Sequence, residues 1–400
     1  MEYLSNRVLQ MAESETLAMT RIARELKAQG KDVISLSIGE PDFDTPEEVK
    51  NFAKTAIDEN WTHYPPVPGY ADLREAISKK FKRDNNLDYT PEQIVVSTGA
   101  KQSIYQLVMS LVNPNDEVII PTPFWVSYKE IVKVAEGKCV YVKTALENDF
   151  KVTPQQLEDA ITHKTKLIMF SSPSNPTGML YTKEELRGIA DVLSRHKHVF
   201  VMADEIYEHI NFEGKHESLA QFEEVKEQVI TVNGVAKGFA MTGWRIGFIG
   251  APLPIAKACD KLQGQVTSAT CSIAQRATIK AMEMNPQTSK DILSMREKFR
   301  ERRDLMYKLL QEIPGLKTRL PQGAFYFFPE INHYFGKKYG KYTINDSNDL
   351  AMYLLYEANV ALVPGSAFGD DNCIRFSYAA STETLIEAIK RIKEALEKLS

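Results

Sequence analysis

Between about residues 94 and 250 the chain alternates β-rich runs with helical segments, and few architectures accept that order. Seven β-rich runs can be counted there, with a helical segment between most neighbours. Strands that alternate with helices form a mainly parallel sheet covered by helices on both faces. Ligands of such a sheet bind outside the carboxyl ends of its strands. The residues just after each run are therefore the ones to read for chemistry.

Residues 231–250 read TVNGVAKGFAMTGWRIGFIG. The run at 229–232 ends at Asn233-Gly234, and Lys237 follows in a loop. Another run, 246–249, begins just after Arg245. A lysine forms a Schiff base with an aldehyde once its amine is deprotonated, which desolvation or a nearby cation achieves. Arg245 adds a fixed, forked cation suited to a phosphate. Most lysines are solvated surface residues, so Lys237 alone decides nothing. The run at 94–96 leads into Ser97-Thr98-Gly99-Ala100, and Lys101 opens an amphipathic helix. A strand, a small-residue turn and a helix N-terminus make an anion site, because free amides and the dipole both favour phosphate. The same turn also occurs in α/β domains that bind nothing.

Other strand ends carry further candidates. Trp125, one of three tryptophans, follows the run at 116–120 and is either a core ring or a flat platform for a flat ligand. The run at 166–170 leads into SSPSNPTG, where Asn175, Pro176 and Gly178 are turn residues. The run at 199–203 ends at Asp204, with Tyr207 three residues on. A strand-terminal carboxylate can pair with a protonated ring nitrogen and keep that ring an electron sink. Near the C-terminus, Arg375 lies in the apolar run CIRFSYA. Burying it without an anion is costly; a substrate carboxylate or a structural ion pair would supply one.

In this order the motifs closely resemble those of class I aminotransferases, most of all the bacterial aspartate aminotransferase subgroup. The resemblance covers nearly the whole chain. It includes the lysine and G-W-R-x-G of 237–247, G-E-P-D-F-D-T-P at 39–46, N-P-T-G at 175–178 and R-x-S-Y at 375–378. It also includes Y-x-x-x-x-G-x-x-x-L-R at Tyr64, Gly69, Leu73 and Arg74. The resemblance implies an α/β fold-type-I pyridoxal-phosphate transferase, with a seven-stranded sheet in a large domain and a smaller α+β domain. It implies that Lys237 carries the aldehyde of pyridoxal 5′-phosphate. The turn of Gly99, Ala100 and Lys101, with Arg245, would take the phosphate. Trp125 would stack on the ring and border the substrate. Asn175 and Tyr207 would bond the phenolic oxygen, with Asn175 also beside the substrate, and Asp204 would hold the ring nitrogen. Gly39 and Arg375 would face the substrate α-carboxylate. Tyr64 would reach the phosphate of a neighbouring subunit, which makes the expected assembly a homodimer with shared active sites.

The same resemblance bears on the substrate. No arginine or lysine occurs in residues 264–272, where some relatives place a partner's arginine on a distal carboxylate. The bacterial subgroup uses instead a serine and a threonine near the N-terminus and a lysine after the phosphate turn. Ser14, Thr16 and Lys101 occupy those places. Some relatives that aminate prephenate carry a lysine two residues before this serine, where this chain has Ala12. The expected reaction is ping-pong transfer of an amino group between aspartate and 2-oxoglutarate. Alternatives are an aminotransferase for aromatic amino acids or prephenate, a pyridoxal-phosphate lyase on the same fold, and a cofactor-binding protein without catalysis.

Composition bounds the rest. At 400 residues the chain exceeds the usual size of one compact core. The pattern changes near 288, so residues 46–288 are expected as a large cofactor-binding domain. Residues 1–45 and 289–400 are expected as the small domain. Residues 1–30 read as helical, with Val8, Met11, Leu17, Ile22 and Leu26 as the apolar positions. A charge run in a long helix at 289–312 reads as a solvated face. The net charge of −4 gives no basic footprint for nucleic acid. No apolar run approaches the ~20 residues of a membrane helix, and the N-terminus lacks the apolar core of a signal peptide. The four cysteines form no C-x-x-C pair, which argues against a disulfide framework or a zinc site, and a cytoplasmic location is expected.

Overall fold

The computed structural model describes residues 3–400; Met1 and Glu2, where the expected small-domain segment begins, lie outside them. The seven runs form one sheet. In chain order its strands are β1 (Ile94–Ser97), β2 (Glu117–Thr122), β3 (Lys138–Lys143), β4 (Thr165–Ser171), β5 (Phe200–Asp204), β6 (Val229–Gly234) and β7 (Gly247–Gly250). Their spatial order is β1-β7-β6-β5-β4-β2-β3. Every pair is parallel except the two that involve β7, which runs antiparallel to β1 and β6. Parallel neighbours need a crossover, usually a helix. The β6–β7 connection, residues 235–246, contains no α-helix, so β7 turns back beside β6.

Alternation along the strands sorts their side chains onto two faces. Ile94, Val96, Ile119, Ile168, Phe170, Val201, Val229 and Phe248 pack in one core, which also holds Val49, Leu73, Leu186 and Ala277 of covering helices. Val95, Val118, Ile120, Leu167, Met169, Met202, Ile230 and Ile249 pack in the other, with Ile104, Tyr128, Ile131 and Cys259 of the helices on that side. The sheet is thus buried on both faces, as parallel sheets require.

A third core gathers the two ends of the chain. Met19, Ala23 and Leu26 of helix Glu15–Ala28 share it with Phe299, Met306 and Leu310 of helix Lys290–Gln311. Leu385, Ile389, Ile392 and Leu396 of helix Thr382–Leu396 complete it, around the short strands Tyr326–Phe327 and Ile374–Ser377. Ile34–Ser35 pairs in parallel with Val360–Ala361, which draws the N-terminal segment onto this core.

Two expectations need correction. Residues 1–30 are not one helix: Asn6–Leu9 and Glu15–Ala28 are separate. Asn6–Leu9 buries no residue, and Val8, Met11 and Leu17 are exposed, so no apolar packing continues the helix through residues 10–14. The charged helix Lys290–Gln311 is not wholly solvated: Arg302 and Arg303 are buried. Arg302 forks onto the carboxylate of Asp42 at 2.6 and 2.8 Å, and Arg303 donates to the Pro321 carbonyl at 3.1 Å. Loops from both ends of the chain cover this helix face, which a charge pattern cannot report.

Candidate active site

A cavity of about 300 Å³ opens at the carboxyl ends of the parallel strands. Its lining brings together Ser14, Thr16, Gly39, Ala100, Lys101, Trp125, Asn175, Asp204, Tyr207, Lys237, Arg245 and Arg375. These residues come from the N-terminal segment, five strand ends and the C-terminal core. Gly99 adjoins the cavity, with its own Cα packed so close that an added Cβ would collide with the Arg245 guanidinium. Tyr64 is 97% exposed and lies outside the lining.

Lys237 sits three residues past β6, half-buried, and its Nζ donates to the Gly39 carbonyl at 2.5 Å. Burial lowers its amine to about 8, and the charges of Arg375 and Arg245 push the same way against Glu40 and Asp204. A cavity residue with such an amine is a nucleophile and a proton carrier near neutral pH. An added Cβ at Gly39 would run into the Tyr326 hydroxyl, which accounts for glycine there.

Asp204 ends β5 and is buried. Burial pushes its carboxyl up to about 6, only partly offset by the Tyr128 hydroxyl at 2.9 Å and the Ile206 amide at 3.3 Å. Arg375, 2% exposed, is held by the Ser37 carbonyl at 2.6 Å and Asn175 Oδ1 at 2.9 Å. Its guanidinium lies 4.5 Å from the Tyr326 ring centroid and 4.9 Å from that of Phe368. No ion pair satisfies it, and its Nε has no hydrogen-bond partner among the described residues. The structural ion pair left open by the sequence is therefore not what holds Arg375. A buried arginine with a free donor suits a carboxylate.

On the other wall, Gly99 takes φ +81° and starts the helix Ala100–Leu111. The first-turn amides of a helix have no acceptors within it. Arg245, itself in a left-handed conformation at φ +57°, donates to the Thr242 carbonyl at 2.9 Å and faces this turn. Lys101 Nζ stands 5.0 Å over the Trp125 ring, and burial and Arg245 both lower its amine. Ser14 is at the N-cap of helix Glu15–Ala28, but its hydroxyl makes no capping bond.

The class I and II aminotransferase family matches residues 31–392. The chain belongs to that family. A bifunctional aspartate aminotransferase and glutamate/aspartate-prephenate aminotransferase of Petunia hybrida is 46% identical over 98% of this chain and 82% of its own. An aspartate aminotransferase of Bacillus subtilis (strain 168) is 46% identical over 99% of this chain and 100% of its own. In structure, an aspartate aminotransferase of Rhizobium meliloti superposes with a TM-score of 0.95 at 42% identity, covering 99% of both chains.

Two residues that sequence reading did not reach support the aminotransferase cavity, Tyr326 in its lining and Tyr128 behind it. Tyr128 supports Asp204 from 76 positions away, and Tyr326 shares a 2.7 Å hydrogen bond with Tyr207 from 119 positions away. Neither belongs to a local pattern. Their only signal was position, one three residues after Trp125 and one in the aromatic stretch 325–328.

Proposed function

We propose that this aminotransferase binds pyridoxal 5′-phosphate in the cavity and moves an amino group between aspartate and 2-oxoglutarate. The residues present fit that group. Gly99, the free amides at Ala100 and Lys101, and Arg245 suit a phosphate. Asp204 has a raised value and no ion-pair partner among the described residues, so a ring N–H would complete it. Trp125 offers a flat face. Asn175 spends its Oδ1 on Arg375, which leaves its amide hydrogens for a phenolic oxygen, beside the Tyr207 hydroxyl.

When bound, the cofactor supplies an aldehyde for amines and a ring that draws electrons from the substrate Cα. Lys237 Nζ, with a value near 8, takes the proton from Cα and delivers one back on the same face. Arg375 grips the α-carboxylate, which fixes the Cα–H bond relative to Lys237. Donor and acceptor use one cavity in turn, so the order is ping-pong. The observation that carries this reading is an amine lowered to about 8 in the same cavity as a buried arginine with a free donor.

Aspartate is favoured because Ser14, Thr16 and Lys101 border the cavity with two hydroxyls and a cation, a fit for a second carboxylate. The names of the Bacillus subtilis and Rhizobium meliloti relatives support it. Amination of prephenate is the second reading, supported by the Petunia relative's name, and Ala12 offers no charged side chain toward it. Tyr64, exposed on its own chain, supports a homodimer in which it serves the partner's site. The two sheet cores, drawn almost wholly from 46–288, and the third core, drawn mostly from 1–45 and 289–400, support a division into those two units. A cytoplasmic location is part of the reading. Among the described residues no helix is long and apolar enough to cross a membrane.

The test is a half-reaction. Cofactor-loaded protein mixed with aspartate alone is expected to release one oxo acid per site, and 2-oxoglutarate then restores the starting spectrum. Ammonia release without need of an oxo acid would instead identify a lyase, and no reaction a binding protein. Lys237→Ala is expected to keep the cofactor and lose turnover; robust turnover without added amines would sink the assignment.

A further inference from the structure

The turn that carries Asp204 and Tyr207 toward the cavity carries Glu205 and Glu208 away from it, and both carboxylates are buried. Glu205 accepts from the Ser218 hydroxyl at 2.6 Å and pairs with His216 at 3.0 Å. Glu208 is a junction of more elements. One oxygen contacts Lys80 Nζ and accepts from Asn233 Nδ2 at 2.8 Å, and the other accepts from Asn85 Nδ2 at 2.6 Å. Lys80 ends helix Ala71–Lys80, donates to Asn85 Oδ1 at 2.8 Å, and is 1% exposed. His209 lies 3.5 Å from Glu208, and Asp84 4.0 Å from Lys80. Glu205, Glu208 and His216 bring ligand-type atoms within 4.8 Å of one another, but Lys80 already supplies the cation at Glu208.

Asn233 is where this junction meets the chemistry. It lies in β6, four residues before Lys237, and its Oδ1 accepts from the Gly234 amide at 2.8 Å. One buried carboxylate therefore ties the Asp204–Tyr207 turn to the strand end that presents Lys237. We propose that Glu208 is a positioning residue of the Lys237 site, fixing through Asn233 where the lysine stands relative to Asp204 and the Gly39 carbonyl. The proposal rests on the reading of Lys237 given above. A carboxylate suits this task because it accepts several bonds at once, and Lys80 keeps it ionised while buried. Burial alone would push Glu208 up, yet Lys80, His209 and His216 hold it well below the usual carboxylate range.

The test uses cofactor-free protein, so it does not depend on turnover. Lys237 is labelled with a small amine-acylating reagent across pH 6–11, and the modified peptide is quantified by mass spectrometry. Around Nζ stand Glu40, Asp204, Arg245, Arg375 and Tyr207, none of which is changed. Wild-type protein is expected to label with a midpoint near 8. Glu208→Gln and Asn233→Leu release the strand end into a wetter position, so the midpoint rises by about one pH unit. Ser218→Ala, which removes a bond from the neighbouring Glu205, is the control: it lowers Tm and leaves the midpoint in place. If Glu208→Gln does not fold, Asn233→Leu decides alone. Unmoved midpoints in the folded variants, or an equal rise in Ser218→Ala, would overturn the proposal. The aspartate half-reaction, run separately on wild-type protein, reports whether the functional reading itself fails.

Discussion

Asp204 and Glu208 are buried carboxylates four positions apart on one turn, and their environments drive them in opposite directions. Burial pushes Asp204 up to about 6, because only a hydroxyl and an amide meet it. Glu208 suffers the same burial, but Lys80, His209 and His216 hold it far down. Depth does not decide a carboxylate's state; its partner does. The back of the turn is internally paired, as a structural element should be. The front keeps charges without protein partners, as a site for ligands should.

The strongest way to break this contrast is to unpair the back. Lys80→Met leaves Glu208 buried without its cation, and removing one partner of a buried pair typically costs about 3–5 kcal/mol. Urea unfolding of cofactor-free protein should show that loss. The double variant Lys80→Met/Glu208→Gln should recover most of it, because a neutral amide in that position needs no cation. Equal stability of wild type and Lys80→Met would mean that the pair contributes nothing.

On the front, Asp204→Asn removes a charge awaiting a ligand. Transition-state stabilisation of about 3 kcal/mol, or a hundredfold in rate, is expected to go with it. Single-turnover rates with aspartate read this directly, and an unchanged rate would remove Asp204 from its proposed role.

The same substitution should act oppositely on stability. Because the folded value of Asp204 is raised, the folded protein binds that proton more tightly than the unfolded chain. The resulting contribution is complete below the ordinary carboxylate value of ~4 and lost as the pH rises through about 6. At pH 7.5 the ionised, unpaired carboxylate therefore costs stability, and Asp204→Asn should raise the stability of cofactor-free protein by about 2 kcal/mol. The gain should fade toward pH 4. Glu208 has the reverse sign: its contribution is present above the ordinary value and drains away as the pH falls through that value toward the folded one. Thermal melts of wild type and Asp204→Asn from pH 4 to 8 test the Asp204 sign, and a gain that grows toward acid would refute it.

Much of the front was legible in the sequence, and little of the back. Lys237, Asp204 and Asn175 follow or end strands and Arg375 lies inside an apolar strand, all within short motifs, and the family resemblance of those motifs singled them out. Tyr128, Tyr326 and the Lys80–Glu208–Asn233 junction join residues 25 to 128 positions apart by fold alone, and no local pattern marks them. Burial of Arg302 escaped for a related reason. A helix of alternating charges looks solvated until a loop, here the one bearing Asp42, lies across it. The sheet was readable as mainly parallel because strands alternate with helices along the chain, whereas the spatial order of its strands was not. The break at residues 10–14 was not, because it follows from the lack of anything to pack against.

The smallest effect concerns Lys101, which mirrors Asp204 as a cation without an anion. Burial lowers its amine, and the like charge of Arg245 lowers it further. A cation opening a helix also opposes the dipole, so its placement favours an anionic ligand group. A distal carboxylate of aspartate would answer both. A charge-assisted hydrogen bond of this kind contributes about 1.5–3 kcal/mol when buried. Lys101 remains partly open to solvent, so about tenfold in kcat/KM is the expected share. Lys101→Ser should therefore lower kcat/KM for aspartate about tenfold and leave phenylalanine nearly unchanged, since an aromatic side chain offers the lysine no charge. The ratio of the two constants is the measurement, because any general damage to the cavity cancels in it. An equal loss for both donors would show that Lys101 serves the phosphate turn or the Trp125 wall, and would leave the second carboxylate without its cation.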